Sequence, residues 1–266
     1  MYNFNYHIPD TIKDCTKIFN SVDFPKYLAG GMTIIPSLKQ KLSTPSDIID
    51  LQNIKILKGI FLNDNKQITI GALNTHNDIA KSKLIKKYIT GLSYLASNIA
   101  DNAVRNLGTI GGSICNSDPA ADYPSALLSL NATILTNKRT INAKEFFVDM
   151  FETLLSDDEI VISICFPIVK NSYYLKFASQ ASKYAIVGIF GAYNEGLIEL
   201  SITGASNKVF SITELNGLTP QEILKLNLDQ LDFKKYYINS DIHATSEYRV
   251  ALIKNMIKNI VKHIEN

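Results

Sequence analysis

Two glycine pairs, each flanked by a hydroxyl residue, are the features of this sequence best suited to chemistry: Ala29-Gly30-Gly31-Met32-Thr33 and Thr109-Ile110-Gly111-Gly112-Ser113. A Gly-Gly pair lets successive backbone N–H groups converge on an anion, because glycine tolerates positive φ and puts no Cβ in the way. The first pair falls between a strand-like run and a helical pattern. A helix N-terminus there adds a favourable dipole, worth about 0.3–1 kcal/mol per charge. Two such turns suit the two phosphates of a pyrophosphate. Each pair taken singly also reads as an ordinary tight turn, and neither is a GxGxxG fingerprint or a Walker loop.

Other chemistries have less support. Cys15, Cys115 and Cys165 are far apart with no CxxC pair, and His7, His76, His243 and His263 are equally scattered. A zinc site or an iron–sulfur cluster held by this chain alone is therefore not expected. The sparse, odd cysteine count fits a reducing cytoplasm better than a disulfide framework, and Cys115 reads as a small buried hydrophobe. Net charge is +2 with both signs mixed along the chain, which leaves no basic stripe for nucleic acid. The N-terminus MYNFNYHIPD has no basic or apolar targeting pattern. The longest near-apolar run, Tyr184 to Tyr193, is about half a membrane span. A cytoplasmic chain without membrane insertion is expected.

The elements that must position the glycine pairs follow from periodicity. Ile12, Cys15, Ile18, Phe19 and Val22 recur at helical spacing behind Asp10, an expected N-cap. Tyr27 to Ala29 reads as a strand, Thr33 to Lys41 as a helix and Ile48 to Leu51 as a strand, a small βαβ-like unit. A hairpin is predicted for Ile56 to Leu62 and Gln67 to Ala72 across Asn63-Asp64-Asn65. Thr75 can cap a short helix. Leu84, Ile85, Tyr88, Leu92, Leu95, Ala96 and Ile99 then form the stripe of one longer helix leading to the second glycine pair. Strands are predicted at Ala132–Thr136 and Glu159–Phe166. Pro167 and the polar Lys170-Asn171-Ser172 mark a boundary. Three strands follow (Tyr173–Ala178, Tyr184–Tyr193, Leu197–Gly204), and a helical tail carries Leu252, Met256, Ile260, Val261 and Ile264. Strands followed by helices indicate an α+β domain.

From Ile99 to Leu130 the chain reads IADNAVRNLGTIGGSICNSDPAADYPSALLSL. This resembles the signature of the FAD-binding (medium) subunits of the xanthine and carbon monoxide dehydrogenase family of molybdenum hydroxylases. There, Arg-Asn-x-Gly-Thr-x-Gly-Gly-x precedes Asp-Pro-x-x-Asp and an apolar helix. The Ala29-Gly30-Gly31 segment, Ile70-Gly71-Ala72 with Thr75-His76, and Asp241 to Arg249 extend the resemblance over essentially the whole chain. It implies an α+β chain: a two-subdomain FAD-binding fold of the PCMH (vanillyl-alcohol-oxidase-like) type over residues 1–170, divided near 55/56, and a small α+β domain with a three-stranded sheet over 171–266.

The resemblance also assigns residues. The pyrophosphate segments fall on Leu28, Ala29, Gly30, Gly31, Met32, Thr33 and Ile34, and on Thr109, Gly111, Gly112 and Ser113. A cofactor-bonding acid falls on Asp122, and the residues beside the flavin ring on Ile99 and Tyr184. By their own chemistry, Asp122 reads equally as an N-cap for the helix starting near Pro124, Arg105 as a phosphate contact or a structural brace, and Tyr184 as core packing. Lys183 stands where relatives often have an acid, and Met32 where they are often polar. The implied function is an FAD subunit that takes electrons from two-iron two-sulfur clusters on an iron–sulfur subunit. Those electrons come from a molybdenum-cofactor subunit and pass on to NAD(P) or another acceptor. Two further readings stay open: a self-sufficient flavin oxidoreductase, and a non-catalytic assembly subunit without FAD. The small C-terminal domain counts against the first, and the intact glycine pairs with Asp122 against the second.

Overall fold

The computed structural model describes residues 1–265; Asn266, the end of the expected C-terminal domain, lies outside them. The first layer holds β1 (Asn5–His7), α1 (Ile12–Phe19), β2 (Pro25–Leu28), α2 (Ile34–Lys39) and β3 (Asp47–Asp50), its strands parallel in the order β1-β3-β2. The cap of α1 is Thr11 rather than the expected Asp10: its hydroxyl accepts from the Asp14 N–H at 3.1 Å, while Asp10 accepts from Asn53 Nδ2. A hydroxyl adjoining the first turn reaches that orphan amide more directly. Cys15 of α1 packs into a small core with Ile49, Ile54 and Leu57. Strand β1 has no apolar alternation to announce it. Side chains hold it instead, Tyr6 donating to Asp50 and the His7 ring lying 2.7 Å from Asp47.

The second layer follows in chain order: β4 (Ile60–Leu62), β5 (Gln67–Gly71), α3 (His76–Lys81), α4 (Lys83–Tyr88), α5 (Thr90–Ser97), α6 (Asn102–Leu107), α7 (Ile110–Asn116), α8 (Tyr123–Ser129), β6 (Thr133–Thr136), β7 (Thr140–Asn142), α9 (Ala143–Phe146), β8 (Phe147–Asp149), β9 (Glu152–Thr153) and β10 (Val161–Pro167). Five of its strands make an antiparallel sheet, β4-β5-β10-β6-β7, and β8 pairs with β9. The single long helix expected from Leu84 to Ile99 is broken at Ile89, whose φ of −145° separates α4 from α5. The apolar stripe runs through the break, because Ile85, Ile89, Leu92, Leu95 and Ala96 all reach one core. The change of direction sets α5 against a later strand. The Gly91 N–H donates to Ser172 Oγ at 3.0 Å, and a Cβ on Gly91 would stand 2.9 Å from the Ser172 carbonyl carbon. Periodicity records which residues are buried but not where the axis bends.

The third part contains β11 (Asn171–Ala178), β12 (Ala185–Asn194), β13 (Leu197–Thr203), β14 (Phe210–Ser211), α10 (Pro220–Lys225) and α11 (Ser246–Glu265). Its antiparallel sheet has four strands, β11-β12-β13-β14, where three were expected. The two residues of β14 are too few to alternate. Ile253, Met256, Ile257, Ile260 and Ile264 of α11 pack with Val187, Ile189, Leu200 and Ile202 of the sheet. The opposite face is covered as well: Tyr174, Phe190 and Ala192 join the core of the second layer. Ser129 Oγ donates to the Phe190 carbonyl, and Thr203 Oγ1 to that of Ala121 at 2.6 Å. We propose to keep the division at 170/171, and that near 55/56, on topology, since each is followed by strands of a new sheet. No helix among the described residues is long and apolar enough to cross a membrane.

Arg249 staples the third part together. It is buried, and its Nη1 donates to the carbonyls of Ile186 and Gly204, at 2.5 and 2.8 Å, while Nη2 meets Asp241 at 2.6 Å. Removing the guanidinium strands two carbonyl acceptors. Arg249→Met should therefore lower the unfolding free energy by about 2–5 kcal/mol. Asp241→Asn, at a half-exposed carboxylate, should cost less than about 1 kcal/mol. Urea denaturation of the two variants checks the order; equal losses would remove the staple.

Candidate functional site

A cavity of about 1440 Å³ lies between the first layer, the second layer and the turn joining β11 to β12. The two glycine segments meet in its wall. A Cβ on Gly30 would stand 2.1 Å from the Leu107 carbonyl oxygen and 2.8 Å from Gly108 Cα. Backbone thus packs on backbone, and any side chain at position 30 would push the segments apart. Gly31 has φ +74°, a conformation that L-residues rarely adopt. The chain then enters α2, whose N-cap Thr33 makes no side-chain capping hydrogen bond. Of the first amides of α2, that of Ile35 donates to the Gly31 carbonyl at 3.0 Å and Pro36 has none, so the Ile34 amide and those of the glycine turn are the ones left for a ligand. With only six residues in α2, the turn amides rather than a long dipole must provide the attraction.

The second glycine pair is not a turn, as expected, but the opening of helix α7, and neither Gly111 nor Gly112 has positive φ. Thr109 caps that helix, its Oγ1 accepting from the Gly112 N–H at 3.1 Å. The Gly111 N–H donates to the Ala72 carbonyl and the Ser113 N–H to that of Thr109. The amides of this pair are therefore engaged within the protein. Gly111 is required by close packing, since its Cβ would lie 2.7 Å from the Ala72 oxygen. At Gly112 a Cβ would meet Thr109 Oγ1 at 3.0 Å and beyond that only Ala29 Cβ, at 3.7 Å. This segment offers the cavity a surface without Cβ atoms, together with Ser113.

Ala29 to Ile34, Ile99, Thr109, Gly111, Gly112, Ser113, Asp122 and Tyr184 all line the cavity. Leu28 does not; it ends β2, and its carbonyl accepts from the Leu51 N–H. Arg105 resolves as a brace. Its guanidinium donates to the carbonyls of Ile99 and Ala100 and to Asn102 Oδ1, fixing the loop that carries Ile99. Tyr184 is 48% exposed on the cavity wall, so core packing does not explain it. Exposed Lys183 stands beside it with φ +62°. Cys115, expected to be a buried small hydrophobe, is instead exposed on the same wall, near the end of α7.

Asp122 occupies the N-cap position of α8 without capping it. Its Oδ1 lies 3.0 Å from Lys176 Nζ and accepts from the Tyr174 hydroxyl. Gly188 makes room for that hydroxyl, which a Cβ there would approach to 2.5 Å. Burial pushes the Asp122 carboxyl up, against the pull of the Lys176 ammonium and the Tyr174 hydroxyl. Sequence reasoning missed Lys176. Ser172, Tyr174 and Lys176 alternate onto one face of β11, and a lysine sharing a face with residues of the core requires a partner; that spacing was the available signal.

His76 is another buried wall residue, with Nδ1 3.1 Å from the Tyr123 hydroxyl. Burial, and secondarily the Arg105 charge, lower its pKa from 6.5 to about 4. The folded value lies below the unfolded one. Its contribution to stability is therefore complete above pH 6.5 and is lost as pH falls through about 4, a span worth about 3 kcal/mol. His76→Gln does not titrate, so the stability gap between wild type and variant should narrow as pH falls from 6.5 to 4. Denaturation curves across that range test this, and a constant gap would refute it.

The sequence matches the family described as FAD binding domain in molybdopterin dehydrogenase over residues 2–169. The glyceraldehyde dehydrogenase medium chain of Sulfolobus acidocaldarius is 31% identical over 257 residues, covering 92% of this chain and 90% of the relative. The nicotine 6-hydroxylase medium subunit of Paenarthrobacter nicotinovorans is 27% identical, over 96% and 95% of the two chains. Among solved structures, a chain of reconstituted CO dehydrogenase from Oligotropha carboxidovorans superposes with a TM-score of 0.90 at 24% identity, covering 99% of this chain and 98% of that one. The fold is thus shared nearly end to end. The family match spans more than half of the sequence and contains both glycine segments and Asp122, while the cavity wall at Ala181–Tyr184 lies beyond it. This chain belongs to the FAD-binding family of the molybdopterin dehydrogenases, an oxidoreductase family, and FAD is its cofactor.

Proposed function

We propose that this chain is the electron-transfer subunit of a heteromeric molybdenum hydroxylase, holding FAD in the cavity between its layers. An iron–sulfur subunit would deliver electrons from its two-iron two-sulfur clusters, and a molybdenum-cofactor subunit would extract them from the substrate. NAD(P) or another acceptor would receive them. The observation that carries the reading is the direct contact of the two glycine segments in the wall of one cavity. Its volume of about 1440 Å³ exceeds the ~300–1,000 Å³ of pockets for drug-sized ligands and suits a dinucleotide.

Bound FAD supplies the coupling between one-electron delivery and two-electron release. The protein's part is binding and orientation. Residues Ala29 to Ile34 would present the amides of a tight glycine turn to the pyrophosphate. Gly112 and Ser113 allow its close approach, with Thr109 fixing the helix behind them. Asp122 accepts a hydrogen bond from the cofactor, and Ile99 and Tyr184 flank the ring. No side chain of this chain needs to act as a general acid or base. Both faces of the C-terminal sheet are already covered, which favours a subunit over a self-sufficient oxidase with a substrate domain.

Gly112→Val tests the site. Its Cβ would press on Thr109 Oγ1, at 3.0 Å, and otherwise face the cavity, so the apoprotein should lose no more than the cap, about 0.5–2 kcal/mol, while FAD content falls at least tenfold. Gly111→Ala should instead destabilise the fold by about 1–3 kcal/mol, through overlap with Ala72. Full FAD occupancy in Gly112→Val would reject the assignment. Purification of the native assembly should recover molybdenum and iron with this chain, and recovery of a lone homo-oligomer competent in substrate turnover would reject the division of labour.

A further inference from the structure

Lys176 is a lysine that the electron-transfer role does not use, yet it sits beside the cavity with only 8% of its side chain exposed. Burying a lysine is costly unless its charge is paired and its donors are satisfied. Here they are spent on two groups. Nζ lies 3.0 Å from Asp122 Oδ1 and donates to the Asn98 carbonyl at 2.8 Å. Asn98 adjoins Ile99, so one ammonium joins the backbone behind a proposed ring contact to the side chain of Asp122, the proposed cofactor acceptor. Arg105 holds the same loop from the far side, through the Ile99 and Ala100 carbonyls. Lys176 and Tyr174 both engage Oδ1, the carboxyl also accepts from its own backbone N–H, and no other side chain among the described residues takes up Oδ2.

We propose that Lys176 is a positioning residue for the cofactor: it fixes Asp122 as a carboxylate and ties it to the loop that carries Ile99. An ionised Asp122 is an acceptor only, with Oδ2 available to an O–H or N–H donor of FAD. A neutral Asp122 would carry a proton of its own, and at the same oxygen it would oppose that donor. The inference rests on the proposed contact between Asp122 and FAD. The titratable and charged groups around the carboxyl are Lys176 and Tyr174 from β11, Tyr184 from the β11–β12 turn, and Asp118 and Tyr123 from its own segment. Lys176 is the cation among them. Without it, the burial that already pushes this carboxyl up acts unopposed by a charge.

The test is FAD affinity of the full chain, stripped of flavin and titrated with FAD between pH 6.5 and 8.5 by quenching of flavin fluorescence. Lys176→Met should bind FAD at least tenfold more weakly at pH 6.5 than at pH 8.5, after correction for the wild-type profile. Lys176→Arg should restore the wild-type profile. Adding Asp122→Asn to Lys176→Met should abolish the slope, leaving weak binding at every pH. A Lys176→Met profile parallel to wild type, or a slope that persists in the double variant, overturns the proposal. Should Lys176→Met fail to fold, Lys176→Gln is read by the same criteria, because it keeps a donor for the Asn98 carbonyl without the charge. Asp122→Asn alone separates the two levels: wild-type affinity there would remove the Asp122 contact itself, and this proposal with it, whereas weakened binding with a flat Lys176→Met profile would remove only the role of Lys176.

Discussion

The contact on which this structure depends is backbone against backbone: Gly30 seated on Leu107 and Gly108, with no room for a single carbon between them. The first layer joins the second at this point, and the cavity opens beside the joint. Because the contact involves main chain, its geometry is set by where β2 ends and α6 stops rather than by adjustable side chains. Close packing leaves little slack to absorb an added methyl group. Gly111 repeats the device against Ala72 one layer deeper. The cavity wall is thus built from rigid joints, with chemistry left to the few side chains that project from them.

Much of this was legible before any coordinates, and the gaps have physical causes. The two glycine segments and the strands expected at Gln67–Ala72 and Glu159–Phe166 follow from local chemistry and alternation. Asp122 is pointed out as a cofactor acid by the family resemblance alone, and the pairing of those two strands by the structure. The breaks at Ile89 and before α6 do not, because burial periodicity is indifferent to a change of axis. The glycines of the second pair suggest a turn by their spacing. In the structure they are helical, selected by what lies against them, and a contact with Ala72 leaves no trace in neighbouring sequence. Asp122 reads from the sequence as a ligand or a cap. Its observed partners, Lys176 and Tyr174, are more than fifty residues away, beyond the reach of any local rule.

Strand β11 shows how one segment serves two cores. Ser172, Tyr174 and Lys176 face α5 and Asp122, whereas Tyr173 and Leu175 pack toward α11. Its alternation carries hydrophobic or hydrogen-bonded residues on both sides, unlike a strand with one solvated face. The polar members of the inner face are each matched: Ser172 with Gly91, Tyr174 and Lys176 with Asp122. Such matching is the condition for placing polar groups beside a core.

The shared core has a consequence for how the protein is made. Synthesis runs from the N-terminus, and the segments carrying both glycine pairs leave the ribosome well before Tyr174, Tyr184 and Phe190. Domains commonly fold as they emerge, but here the second layer lacks part of its core, and Asp122 lacks its partners, until β11 and β12 have been translated. The newborn chain passes through a period in which its two glycine segments exist without the wall that closes the cavity beside them. Closure of the cavity is accordingly a late event, timed by the arrival of the hairpin whose turn carries Tyr184.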